Sequence, residues 1–386
     1  MAESFKYGNG VWATKTGSSM AYNDENGNYK PVPFSVTRDS IATRVNKQGL
    51  IEVVGKDKLR IDYTDSSKGV ALLEPSRTNL VTYSEDLTAT GWSSASSGTG
   101  ISPTRTANYG ISPDGTQNAT RVQFDLNGGT TSSDLSYIAF YYTATGTATT
   151  NSVYMKSLSG TADVRLRCGS TFKEVDVTTE WQRFDLTDGS TSDRLQVLLY
   201  GHLSSQTADL LIWGAQAETG SYATSYIPTS GSTVPRAADV ANGAGNSEVF
   251  NDSEGVLFVE ANKLANDSRR SRVAISDGSS SDRIIIDFSN TDNQLEYYVI
   301  DGGVNVASGI HSVDLLSSVK VCVKYKVNDV ALWVNGFEVR TDTSATMPSG
   351  LSELAFDAGD GANDFYGKTK QLMAFNQALT DSELEQ

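Results

Sequence analysis

The residues best spaced for chemistry are three carboxylates in the run Glu174-Val-Asp176-Val-Thr-Thr-Glu180. Two carboxyl groups about 5–9.5 Å apart can cleave a glycosidic bond, one as acid and the other as nucleophile or base. On a regular strand, the steps from Glu174 to Glu180 span about 20 Å at roughly 3.3 Å per residue, which is too far. Glu174 and Asp176 lie closer, but no neighbour singles out either as the acid. The run reads as a solvated strand face. Gly-x-Ser-x-Gly, His-Glu-x-x-His and the phosphate-cradling Gly-x-x-x-x-Gly-Lys are all missing. The two histidines, His202 and His311, have no motif partners. Catalysis would therefore fall to carboxylates or to one of 17 tyrosines, and no spacing marks one out. The expectation is a non-enzymatic protein, with a polysaccharide-degrading hydrolase or lyase as the alternative.

Binding chemistry has better candidates. A sugar ring stacks its apolar face on an exposed aromatic and meets polar groups at its rim. Trp92, in the polar stretch "TGWSS", is the foremost platform candidate, the competing reading being a loop anchor. Trp333 precedes a hairpin turn and could face either way. Trp181 and Trp213 lie within strand patterns and read as core, while Trp12 belongs to an N-terminal arm. No cofactor is required. Calcium is the ion the oxygen-rich loops suit. The densest loop is "FDAGDGANDF" with Asp357, Asp360, Asn363 and Asp364; Asp267, Asp277 and Asp282 are weaker alternatives. The competing reading is an acidic turn without metal. Cys168 and Cys322 are far apart and read as small buried hydrophobes.

The net charge of −15 argues against nucleic acid as a partner. Residues 1–75 carry 10 basic and 9 acidic groups, whereas residues 76–386 carry 21 and 37. No run of about 18 apolar residues predicts membrane insertion, and Met1 to Gly10 lacks the pattern of a signal peptide.

Short runs rich in Tyr, Val, Ile, Thr and Trp alternate with Gly, Asn, Ser and Asp at intervals of about 8–12 residues, which predicts many strands in sandwiches. The expected fold is all-β: two tandem β-sandwich (jelly-roll) domains preceded by an extended N-terminal attachment segment. The segment covers 1–75, the first sandwich 76–235 and the second 236–386. Asn9-Gly10, Asn26-Gly27 and Asn335-Gly336 read as tight turns. One terminal helix is predicted, capped by Thr380 with Glu383 reaching back.

Three stretches resemble known modules. "RDSIATRVNKQGLIEVVGKDKLRIDY" with "GVALLEPSRTNLVTYSED", over roughly 38–86, is similar to a junction in many phage structural proteins. "ISPDGTQNATRV", "TTEWQRFDLT" and "IWGAQAETGSYATSYIPTSGSTVPRAADV" resemble a phage-borne carbohydrate-binding-module-like jelly roll. "VKYKVNDVALWVNGFEV" through "NQALTDSELEQ" is similar to the concanavalin-A/laminin-G-like lectin fold. Laminarinase-type hydrolases of that fold carry Glu-x-Asp-x-Glu strands, but the run at 174–180 is longer and falls in the other sandwich. The resemblance implies a virion surface protein, of fibre, receptor-binding or capsid/tail decoration type. It would meet other virion proteins through residues 1–75 and host surface polysaccharide through its sandwiches. A homo-oligomer is expected and a trimer fits fibre architecture, although no heptads specify one. A purely architectural decoration protein without ligand is the second alternative.

Overall fold

A computed structural model of the chain describes residues 4–8, 20–23, 29–32, 34–146, 148–190 and 193–385, with side chains described from Phe34 onward. The turns expected at Asn9-Gly10 and Asn26-Gly27, and Trp12, lie outside these residues. The chain is all-β, and its one helix is the terminal turn Asp381–Leu384 among the described residues. Glu383 accepts hydrogen bonds from the amide and hydroxyl of Thr380 there, as the capping pattern predicts. Asn335 and Gly336 both have positive φ, 52° and 83°, and join the paired strands Val330–Val334 and Phe337–Asp342. Positive φ at both central positions is what a two-residue turn of this kind requires.

Two compact units are present, and neither is continuous in sequence. One combines residues within Met1–Asp39, Val54–Pro75 and Ala238–Gln386; the other combines Ser40–Val53 with Ser76–Ala237. The stretch 1–75, expected as a separate attachment segment, is thus divided between the units. The reason lies in its strands. Ser35–Thr37 pairs with Val240–Asn242 and Val70–Leu73 with Gly367–Phe375 in one unit, whereas Ile51 packs with Ala119, Leu211 and Trp213 in the other.

In the unit that contains Ala238–Gln386, a five-stranded sheet runs in the order Val304–Ser312, Gln294–Asp301, Arg283–Phe288, Ser271–Ser276, Glu353–Ala355. Val273, Ile284, Ile286, Leu295 and Val299 from this sheet share one core with Leu257, Val259, Val321, Val323 and Leu332 from the strands Glu254–Lys263, Val319–Lys326 and Val330–Val334 of a second, larger sheet. Alternate positions point inward, as strand geometry dictates. Beside this core, buried ion pairs join Arg38 to Asp239 at 2.8 Å, Arg60 to Glu74 at 2.7 Å, and Arg60 to the second oxygen of Asp239.

The other unit is a sandwich of two five-stranded sheets. One runs Ile101–Gly110, Ala119–Asp125, Thr207–Thr219, Thr149–Ser157, Gln182–Asp188; the second runs Trp92–Ser97, Leu135–Tyr141, Arg194–Tyr200, Ala162–Cys168, Thr171–Val177. Ile138, Phe140, Val164, Leu166, Val197 and Leu199 of the second sheet share a core with Val122, Phe124, Val153, Met155, Leu210 and Ile212 of the first. The outward positions of the second sheet are therefore residues 93, 95 and 97, then 135, 137, 139 and 141, then 194, 196, 198 and 200, then 163, 165 and 167, then 172, 174 and 176.

Candidate glycan-binding face

Those outward positions carry an arrangement that strand order alone creates. Cross-strand register places Tyr137 beside Leu198, Leu198 beside Arg165, and Arg165 beside Glu174. The next row is Ala139, Gln196, Arg167 and Phe172. Tyr141 lies opposite Arg194, and Leu135 opposite Tyr200. The result is an open depression of about 250 Å³ lined by Tyr137, Tyr141, Tyr200, Phe172 and the three arginines over a floor of Gln196 and Leu198. Tyr141 is 52% exposed and Phe172 45%, so the face meets solvent.

The arginines are braced on the rings. The guanidinium of Arg165 sits 4.0 Å from the Tyr200 ring centre, that of Arg167 lies 4.8 Å from Phe172, and that of Arg194 lies 5.3 Å from Tyr141. Cation–π contact of this kind holds a weakly hydrated cation in place. Arg165 pairs with Glu174 at 2.5 Å, and Arg194 with Asp193 at 2.7 Å. Arg167 pairs with no carboxylate among the described residues. Its Nε donates to the Gly169 carbonyl at 2.7 Å and one terminal nitrogen to Gln196 at 3.3 Å. Partial burial, and then the like charge of Arg194, lower its affinity for its own proton.

The residues singled out from sequence stand elsewhere. Trp92 is not an exposed platform: it is 6% exposed, packs edge-on against Phe140 and donates its indole N–H to the Tyr83 carbonyl at 2.8 Å. It opens a strand whose register puts it opposite Phe140, on the core face. Trp333 is also closed to a ligand, 5% exposed in a cluster with Val256, Cys322, Ala331 and Leu384. In the loop expected to suit calcium, the polar groups have partners within the protein. Asp360 pairs with Arg283 at 2.9 Å, Asp364 accepts from the Tyr366 hydroxyl at 3.1 Å, and Asp357 accepts from the amide of Gly359 in its own loop. Asn363 adopts φ 59°, and its carbonyl accepts from the Arg272 amide. Among the described residues, no group of three or more His, Cys, Asp and Glu side chains is placed to hold a metal ion.

Glu174, Asp176 and Glu180 are exposed, and Glu174 is engaged by Arg165. A second pair of carboxylates, Asp287 and Glu296, stands directly opposite on adjacent strands of the other unit. Arg270 bonds to both and Arg272 to Asp287, and the Asp287 side chain is fully buried. It is an ionic cluster in which each carboxylate is bonded to at least one arginine. Cys168 and Cys322 are buried free thiols, and burial pushes Cys322 up to about 12. No helix among the described residues is long and apolar enough to cross a membrane.

Neither a known family nor a curated protein matches the sequence. Solved structures are similar to part of the chain. The carbohydrate-binding module CBM40 of the Ruminococcus gnavus IT-sialidase, bound to α2,3-sialyllactose, is 16% identical. It covers 37% of this chain and 91% of its own, with a TM-score of 0.31. Domain 4 of AbnA, an extracellular arabinanase of Geobacillus stearothermophilus solved with arabinotriose, is 11% identical over 43% of this chain and 82% of its own, with a TM-score of 0.32. The binding domain of Paraclostridial Mosquitocidal Protein 1 is 13% identical over 38% and 42%, with a TM-score of 0.28.

Proposed function

We propose that the chain is a non-enzymatic bacteriophage virion surface protein that adheres to host-surface polysaccharide through the arginine–tyrosine face. One observation carries the reading: four aromatic side chains and three arginines converge on one open sheet face. The depression, at about 250 Å³, is smaller and more open than the roughly 300–1,000 Å³ of enclosed small-molecule sites. A shallow face suits a polymer that runs across it. Of the carboxylates at its margin, Glu174 and Asp193 are tied to arginines. The virion location rests on the likeness of residues 38–86 to the phage junction. Several copies on one particle would turn weak contacts into firm attachment.

The test is a glycan array probed with the full chain and with the double variant Tyr137→Ala/Tyr141→Ala. The expected result is polysaccharide binding that the variant loses while keeping the wild-type unfolding temperature. An empty array would reject adhesion and favour an architectural role. New reducing ends or unsaturated sugars after incubation would make the chain an enzyme instead.

A further inference from the structure

The charge pattern of the face goes beyond glycan binding in general. The chain as a whole is acidic, at −15. Three guanidinium groups nevertheless stand together here, two of them paired with Glu174 and Asp193, while Asp163 and Asp176 lie further along the same sheet face. Arg167 makes no direct ion pair among the described residues, and Asp193, which is bonded to Arg194, offsets its charge only from a distance. Its fork is fixed by Gly169 and Gln196 on one side and by the Phe172 ring on the other. Such a guanidinium has already given up much of its freedom, so an incoming anion meets a prepared donor. The rings that would stack a neutral sugar are, by contrast, partly taken. Tyr200, Phe172 and Tyr141 each have an arginine over their faces. Charge, rather than a bare aromatic shelf, is what the surface offers.

We infer that the face selects anionic polysaccharide, with the carboxylate of an acidic sugar residue seated on Arg167 between Arg165 and Arg194. This rests on the reading that the face binds glycan at all. Arg167 and Arg194 repel one another, and an anion between them removes that repulsion. A neutral sugar would leave it in place. Sulfated sugars share the anionic chemistry, and the experiment separates them from carboxylated ones.

The full chain is titrated with polygalacturonate, alginate, hyaluronan and polysialic acid, with dextran sulfate, and with two neutral polymers, dextran and methyl-esterified polygalacturonate. Affinity is measured in low and moderate salt. At least one carboxylated polymer is expected to bind, and Arg167→Ala to weaken that binding about tenfold or more, as the loss of a charge-assisted contact predicts. The unfolding temperature should not move. Methyl esterification should abolish binding where polygalacturonate binds. Equal affinity for neutral and carboxylated polymers, or an Arg167→Ala variant that binds unchanged, would overturn the charge inference and leave glycan binding standing. Binding to dextran sulfate alone would also overturn the carboxylate assignment. Failure to bind any of the seven polymers would overturn both readings.

Discussion

Arginine does opposite work in the two units. Around Asp239, Arg38 and Arg60 are fully buried and matched by Asp239 and Glu74. On the sheet face, Arg165, Arg167 and Arg194 are partly exposed and braced on rings, and Arg167 makes no direct ion pair among the described residues. A buried cation must be neutralised where it sits, because taking it from water is costly. A cation at an open face keeps its water and can wait for a partner. Neutralisation within the fold thus separates a structural arginine from a receptive one.

Removing a buried counter-charge should have the largest effect. Asp239→Ala leaves two guanidinium groups without their shared carboxylate. It should cost about 3–5 kcal/mol, measured as the urea midpoint of the full chain. Arg167→Ala should stay within about 0.5 kcal/mol of wild type in the same measurement. Equal losses from the two changes would erase the distinction.

The Asp287–Glu296 cluster sharpens it through pH. Burial alone would raise Glu296, but hydrogen bonds from Tyr298, Arg270, Ser289 and Gln294 outweigh it and hold the carboxyl at about 2. A carboxyl lower in the folded than in the unfolded chain contributes stability that is complete above its unfolded value near 4.3. That contribution fades as pH falls toward about 2. Glu296→Gln should therefore destabilise the chain at pH 6 and narrow its difference from wild type by pH 2.5. A constant difference across that range would contradict the assignment.

The smallest effect is expected at the margin of the open face. Glu174→Gln frees Arg165 from an exposed pair worth about 0–1 kcal/mol at most. Stability should hold, and affinity for a carboxylated polymer should rise about two- to fivefold. A fall in affinity would mean that Glu174 itself contacts the sugar.

Much of the architecture was legible because it is written in local periodicity. Asn335-Gly336 specifies its turn, and alternation along "DVRLRCG" and "RLQVLLY" specifies strands with one apolar side. The face was not legible. Its residues sit on four strands that are neighbours only after folding, so no sequence window holds Tyr137, Arg167 and Phe172 with Gln196. Strand parity offered one usable sign, since the positions that alternate with core residues in these runs are arginine or tyrosine unusually often. Trp92 misled for a related reason. The serines that follow it occupy half-exposed positions, and their polarity hid a residue whose register opposite Phe140 turns it inward. In the acidic loop at 357–364, Asp360 pairs with Arg283, a partner 77 residues away that no local window shows.

The interleaving of the two units bears on how a nascent chain matures. Every residue of the unit bearing the arginine face has been made once Ala237 leaves the ribosome, so it can close as a cooperative body during synthesis. The strand Val70–Leu73 has to wait for Gly367–Phe375, its distant hydrogen-bonding neighbour. Until then its four apolar residues present an unsatisfied edge, which makes the late-closing partner the more exposed of the two to misassembly.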